Sequence, residues 1–311
     1  MKKAVMAKGR VLITGAGGMT GRRLMSMLKE SGYEVVALRH RKNGATASEG
    51  FTWDIAKRSI DSGALEGVSH IIHLAGAGIA DRRWSKKRKG DILSSRVNSA
   101  RLLFDRVKEE GVSLKCYISA SATGIYESGL NTEPATENEA PARGFLGETC
   151  RLWEESADLF SKEGIRTVKI RTGIVLASEV GFIKRITPPS KVGLFAWFGS
   201  GRQFMPWIHL EDLCRIYIDA LDNEAVRGAY NAVAPQHITQ ASFMQTFAQV
   251  KGRPALLTGI PSILVRLAFG EMAEMLLTGR RVSSAAIEST GFLFRYKTAE
   301  EALRQIVVRY L

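Results

Sequence analysis

The chain has 311 residues, enough for one large α/β domain or a domain with a smaller appendage, and its ordinary apolar and charged fractions exclude a disordered polypeptide. A formal charge of +13 favours anionic partners: nucleotides, phosphorylated substrates, nucleic acid or a membrane surface. Cys116, Cys150 and Cys214 are odd in number and far apart, with no metal-ligand spacing and no disulfide framework, so no metal is expected and a reducing, cytoplasmic setting fits best.

The opening "MKKAVMAKGR" resembles a signal-peptide n-region, but no apolar h-region follows it. "RVLITG" then reads as a strand, "GRRLMSMLKESG" as a helix ended by Gly32, and "YEVVAL" as a second strand. "VSHIIHLAG", "LKCYISASA" and "IRTVKIRTG" read as further buried strands, separated by helical patterns. This alternation predicts an α/β, doubly wound parallel sheet of the Rossmann type, with ligands at the carboxyl ends of the strands. After Arg171 the pattern loosens into loops with short elements, "HLEDLCRIYIDALDN" is a helix again, and "IPSILVRLAFG" is too short to span a membrane. The expected division is a Rossmann domain over 1–176 to which 207–235 returns, with 177–206 and 236–311 forming a smaller interleaved cap.

"ITGAGGMTGRRL" is the strongest signal. Gly15, Gly18 and Gly21 follow a strand and open a helix, so a pyrophosphate would meet backbone N–H groups at a helix N-terminus. The second strand ends "VVALRHRK", with Arg39 where an NAD site usually has an acid, and Arg41 just beyond. Guanidiniums there suit a 2′-phosphate, which favours NADP(H); the alternative is a solvated charged turn. Asp54 is read equally as an acceptor for the adenine amino group and as a turn residue.

Together with "HLAGAGIADRRW", "ISASATGIY", "RTGIVL", "GSGRQFMPWIHLEDL" and "GEMAEMLLTGRRV…GFLFRY", these residues resemble an atypical extended short-chain dehydrogenase/reductase. More narrowly, they resemble the proteins called epimerase family protein or nucleoside-diphosphate-sugar epimerase, which carry their own C-terminal domain. The resemblance implies NADP(H) binding, with Gly15, Gly18, Met19, Thr20 and Gly21 in the phosphate turn. It places Leu74, Ala75 and Gly76 under the adenosine side, and Ser119 and Ser121 at the end of a strand, Ser121 matching the catalytic Ser or Thr. Asn98 resembles a helix Asn that supports the active site.

The chain departs from this pattern on the helix containing "GFLGETCRLWEESA". The usual catalytic Tyr and Lys fall at Leu146 and Cys150, and Leu146, Cys150, Trp153, Ala157 and Phe160 form one apolar stripe. Cys150 is read as an inert core thiol in preference to a nucleophile, Glu148 as an exposed helix residue, and Tyr126 as a tyrosine other than the catalytic one. Arg202 is expected to clamp an anionic substrate group, and His209 is a candidate substrate contact or a loop residue holding a hydrogen bond. "DRRWSKKRKGD", spanning Arg82 to Lys89, reads as a solvated run, a flap or a nucleic-acid contact, the last disfavoured by the absence of any such fold signature. Two functions follow as expectations: an NADP(H)-dependent oxidoreductase or epimerase-like enzyme on an anionic small molecule, or a non-catalytic NADP(H)-binding regulator.

Overall fold

A computed structural model describes residues 8–40, 50–129, 133–178, 181–252 and 254–308. The chain opens with β1 (Arg10–Thr14), α1 (Met19–Glu30) and β2 (Glu34–His40), a βαβ unit in which Arg10 lies opposite Glu34 and Thr14 opposite Leu38. The short strands β3 (Phe51–Asp54) and β4 (Ser59–Ile60) finish that edge. β5 (Val68–His73) then returns to the other side of β1, and α2 (Lys86–Glu109), β6 (Cys116–Ala122), α3 (Phe145–Lys162) and β7 (Arg166–Thr172) build outward from it.

The segments β8 (Ile174–Leu176), α4 (Gly181–Lys191), β9 (Leu194–Phe198) and β10 (Trp207–His209) leave the main sheet, with β8 and β10 pairing in parallel. α5 (Leu210–Asp222) and β11 (Gly228–Ala232) come back, and β11 adds to the edge at β7. The remainder comprises α6 (Gln240–Lys251), β12 (Leu256–Ile260), α7 (Ser262–Phe269), α8 (Ala273–Leu277), α9 (Ala285–Ser289) and α10 (Ala299–Val308), with β12 paired to β9.

The eight-stranded sheet runs β11-β7-β6-β5-β1-β2-β3-β4, parallel throughout except for β3 with β4. Val11, Leu12 and Ile13 are all fully buried, as expected for a parallel strand covered on both faces. α1 and α5 cover one face; Leu24 and Leu28 pack with Leu213, Ile216 and Tyr217. α2 and α3 cover the other, where Tyr117 stacks on Phe160 at 3.7 Å between ring centroids. Strand order reverses between β1 and β5, so a crevice opens where their C-terminal ends diverge.

A third cluster, including Phe195, Trp207, Phe243, Phe247, Leu303 and Ile306, forms the core of the appended region. The last third of the chain is not confined to that cap. Ile287, Phe292 and Phe294 belong to the same core as Val11 and Leu24, and the buried Asp212 carboxylate accepts from the amides of Arg295 and Tyr296 at 3.0 and 2.9 Å. A boundary at residue 236 therefore cuts through packing that the sequence pattern did not display, because the link is one of distant side chains rather than periodicity.

Candidate functional site

The crevice begins at the glycine turn. Gly15 has φ +68°, and a Cβ there would lie 2.9 Å from the Leu74 carbonyl, so the β1 turn rests directly on the β5 turn. A Cβ on Gly21 would approach the Gly15 oxygen to 2.4 Å, which is why α1 can lie so close to the strand that feeds it. Gly18 is the N-cap of α1 without a capping side chain, and no acid occupies the first turn. The leading N–H groups at Met19 and Thr20 and the helix dipole thus point at a crevice shaped for negative charge. Gly17 and Gly18 are exposed, and a Cβ on Gly17 would meet nothing, so backbone approach from outside is open.

On the neighbouring strand end, Thr14 Oγ1 accepts from the amides of Leu74 and Ala75 at 3.1 Å each, which fixes the Leu74–Ala75–Gly76 turn. Arg39 is exposed at the end of β2, while Arg41 lies outside the described residues. Asp54 ends β3, and its Oδ1 accepts from the Lys57 amide at 3.0 Å, so one of its two expected roles, the turn, is visible.

The opposite end is framed by β6 and α3. A Cβ on Gly124 would lie 3.6 Å from Leu146 Cβ and 3.9 Å from Cys150 Sγ, so both residues face the turn that follows β6. Leucine exchanges no proton. Burial, followed by the nearby Glu154, pushes the Cys150 thiol up to about 12, which keeps it protonated at neutral pH. Glu148 is exposed and forked by Arg151, whose hydrogen bonds hold its pKa down.

Ser121 and Ser119 are both buried. Ser121 Oγ donates to Glu154 Oε1 at 2.7 Å, and Arg171 grips the same carboxylate through Nε and Nη2 at 2.8 Å each. Arg171 Nη1 also donates to Tyr126 Oη at 2.9 Å, and that phenol donates to Asn231 Oδ1 at 2.7 Å. Burial raises the Tyr126 pKa, and its oxygen is held between Arg171 and Asn231. The network ties β6, α3, β7 and β11 together, and it places the Ser121 hydrogen on a carboxylate rather than in the crevice. Ser119 Oγ donates to the Ala120 carbonyl at 2.9 Å.

His209 corrects its expectation as a substrate contact. Its ring is 3 % exposed, Nδ1 accepts from the Glu211 amide to cap α5, Nε2 bonds Gln305 Oε1 at 3.0 Å, and Tyr296 lies against it. Both nitrogens are spent inside the fold. Arg202 is exposed on the turn after β9, which the buried Gln203 fastens by donating to the Phe198 and Leu276 carbonyls. Asn98 is exposed on α2. The helix residue that does reach the crevice is Arg96, two positions earlier, whose Nη1 donates to Ala77 O at 3.0 Å. Sequence reasoning missed it because an Arg in a basic helix carries no signal of its own.

The basic segment is folded onto the site's rim. The Trp84 indole donates to Ile79 O at 2.9 Å and packs edge-on against Phe145, Ser85 caps α2, and Arg83 donates to Leu267 O at 3.0 Å. Among the described residues no helix is long and apolar enough to cross a membrane.

The reversed strand order, the glycine turn opening α1 and the adjoining β5 turn define a dinucleotide-binding Rossmann fold. The chain belongs to the NAD dependent epimerase/dehydratase family, which residues 11–232 match, and residues 260–306 match a domain of unknown function, DUF1731. It is 36 % identical over 305 residues to epimerase family protein Mb2239 of Mycobacterium bovis, covering 98 % of this chain and 99 % of that one. It is 33 % identical over 301 residues to epimerase family protein SDR39U1 of Mus musculus, covering 96 % and 99 %. The crystal structure of human SDR39U1 with NADPH superimposes with a TM-score of 0.86 at 31 % identity, covering 96 % of this chain and 99 % of that one. UDP-glucose 4-epimerase of Thermus thermophilus, at 18 % identity and a TM-score of 0.73 over 97 % and 98 % of the two chains, shares the fold.

Proposed function

We propose that this protein binds NADP(H) in the crevice between β1 and β5 and acts as an NADP(H)-dependent oxidoreductase or epimerase-like enzyme on an anionic small molecule. The observation that carries the reading is the Gly15–Gly21 turn, which lies directly on the β5 turn and opens α1 with an uncapped N-terminus and no acid in its first turn. Met19 and Thr20 would present amides to the phosphates, Arg39 and Arg41 would hold the 2′-phosphate, and Asp54 stands near enough in the sheet order to serve the adenine side. The bound nicotinamide would supply the hydride. The NADPH in human SDR39U1 supports this cofactor. Arg202, exposed at the cap, is our candidate for the substrate anion. The buried, unbridged Cys116, Cys150 and Cys214 suit a reducing compartment, and we place the protein in the cytoplasm.

A second reading, a non-catalytic NADP(H)-responsive regulator, is favoured by the pairing of Leu146 and Cys150 at Gly124, since a leucine exchanges no proton and burial keeps the thiol protonated. Calorimetric titration with NADPH, NADP and NADH tests the shared premise. Arg39→Ala should weaken NADPH binding by roughly tenfold or more and leave NADH unchanged. No dinucleotide binding to the folded protein would reject both readings. Given binding, saturable NADPH oxidation with any member of a panel of carbonyl acids supports the enzyme, and tight binding without turnover supports the regulator.

A further inference from the structure

The arginines of the sheet and its helices are compensated unequally. Arg171 is forked onto Glu154. Arg166, at the opposite, N-terminal end of β7, donates to the carbonyls of Ala220 and Leu221 at the C-terminal end of α5, where the helix dipole favours a cation, and to that of Val226 in the following loop. Arg96 is half-buried, and among the described residues no carboxylate pairs with it; Nη1 meets the carbonyls of Ala77 and Ile92 at 3.0 and 2.9 Å. Its guanidinium carbon lies 4.8 Å from the centre of the Trp153 ring, and a Cβ on Gly76 would be 3.1 Å from it. The group therefore spans the gap between the turn after β5 and the face of α3 that carries Cys150.

Arg88, two turns earlier on α2, reaches the next carbonyl, Gly78 O. Its Nε is buried with no hydrogen-bond partner, and its nearest acid, Asp81, is 3.5 Å away with a side chain 61 % exposed. Desolvation lowers the Arg96 pKa, and the positive charge of Arg88 lowers it further. Two guanidiniums face one loop, and among the described residues the one carboxylate paired with either is the exposed Asp81 at Arg88, so a further anion would complete them.

We propose that Arg96, with Arg88 behind it, holds an anionic oxygen of a carboxylate or phosphate between the turn after β5 and α3. The inference deepens the function proposed above and rests on the same crevice. The oxygen has two sources, the pyrophosphate of the dinucleotide or the acid group of the substrate, and both are recognised by the same donors.

The full chain, Arg96→Gln, Arg96→Lys and Arg88→Gln are titrated calorimetrically with NADPH, inorganic pyrophosphate and, with NADPH present or absent, oxalate. Arg96→Gln should weaken at least one probe roughly tenfold or more, Arg96→Lys should recover part of the loss, and the probe-free Tm should stay near that of the parent. Loss confined to NADPH and pyrophosphate assigns the site to the cofactor; loss confined to oxalate assigns it to the substrate. Unchanged affinities for all three probes, or a lowered Tm with no change in affinity, overturn the proposal. Should Arg96→Gln fail to fold, the Arg88→Gln titrations and the thermal shift of the parent in pyrophosphate or oxalate against chloride at equal ionic strength decide. The absence of both effects overturns the proposal. A parent chain that binds no NADPH sinks the proposed function, while the oxalate and pyrophosphate titrations still report on Arg96.

Discussion

Glu154 shows how much of a residue's chemistry is set by what lies across from it. On a helix of mixed polarity a glutamate reads as solvated, yet here it is 7 % exposed, forked by Arg171 and reached by Ser121. Glu154→Gln would leave Arg171 buried without its counter-charge, and should cost about 3–5 kcal/mol in urea unfolding at pH 7. Ser121→Ala removes one hydrogen bond to the same carboxylate and should cost about 1 kcal/mol. Equal small effects of the two variants would show that the network is looser than its geometry. The same scale explains which site residues were legible. Gly15, Gly18 and Gly21 stood out because their spacing is tied to backbone geometry. Ser121 was located by resemblance, but its partner was not, since nothing local marks Glu154 as facing β7. His209 was left between two roles because the residue that precedes an apolar helix serves equally well as a cap or as a ligand contact, and its bond to Gln305, far along the chain, favours the structural role.

At the scale of elements, β5 is the joint of the crevice, and His73 is its pin. Nδ1 bonds Thr14 Oγ1 on β1 at 2.8 Å, and Nε2 bonds Ser99 Oγ on α2 at 2.9 Å. Burial pushes this imidazole from its ordinary 6.5 down to about 3, and the buried His70 on the same strand down to about 4. Below pH 6.5 the unfolded chain takes up protons that the folded rings refuse. The stability these rings contribute is therefore complete above 6.5 and is lost as the pH falls towards the folded values, with a slope of up to about 1.4 kcal/mol per pH unit for each ring. The urea midpoint should accordingly drop between pH 7 and 5, and His73→Gln should show a flatter profile; parallel profiles would reject this account. The strands β1, β2, β5, β6 and β7 and the helices between them were readable because each carries an apolar run or a helical stripe, whereas β4 and β11 carry none. The parallel pairs β8 with β10 and β9 with β12 were not, because short strands in Gly- and Pro-rich sequence are defined by partners distant along the chain.

For the molecule as a whole, the C-terminal stretch is structural rather than ornamental. Phe292 and Phe294 pack edge to face at 5.0 Å in the core that also holds Val11 and Leu24, so Phe294→Ala should cost about 3–5 kcal/mol. A chain ended at residue 259, just before the DUF1731 match at 260–306, should lack a cooperative thermal transition. A truncated chain that melted cooperatively and bound NADPH would show the nucleotide domain to be autonomous. The interleaving sets an order of events during synthesis. The glycine turn leaves the ribosome first, yet the layer beneath it is unfinished until residues 287–294 have followed. Until then a nascent chain has the phosphate-binding sequence without the packed floor that holds it in shape. Should the chain ended at residue 259 fail to bind NADPH, cofactor capture would report that synthesis has passed residue 294.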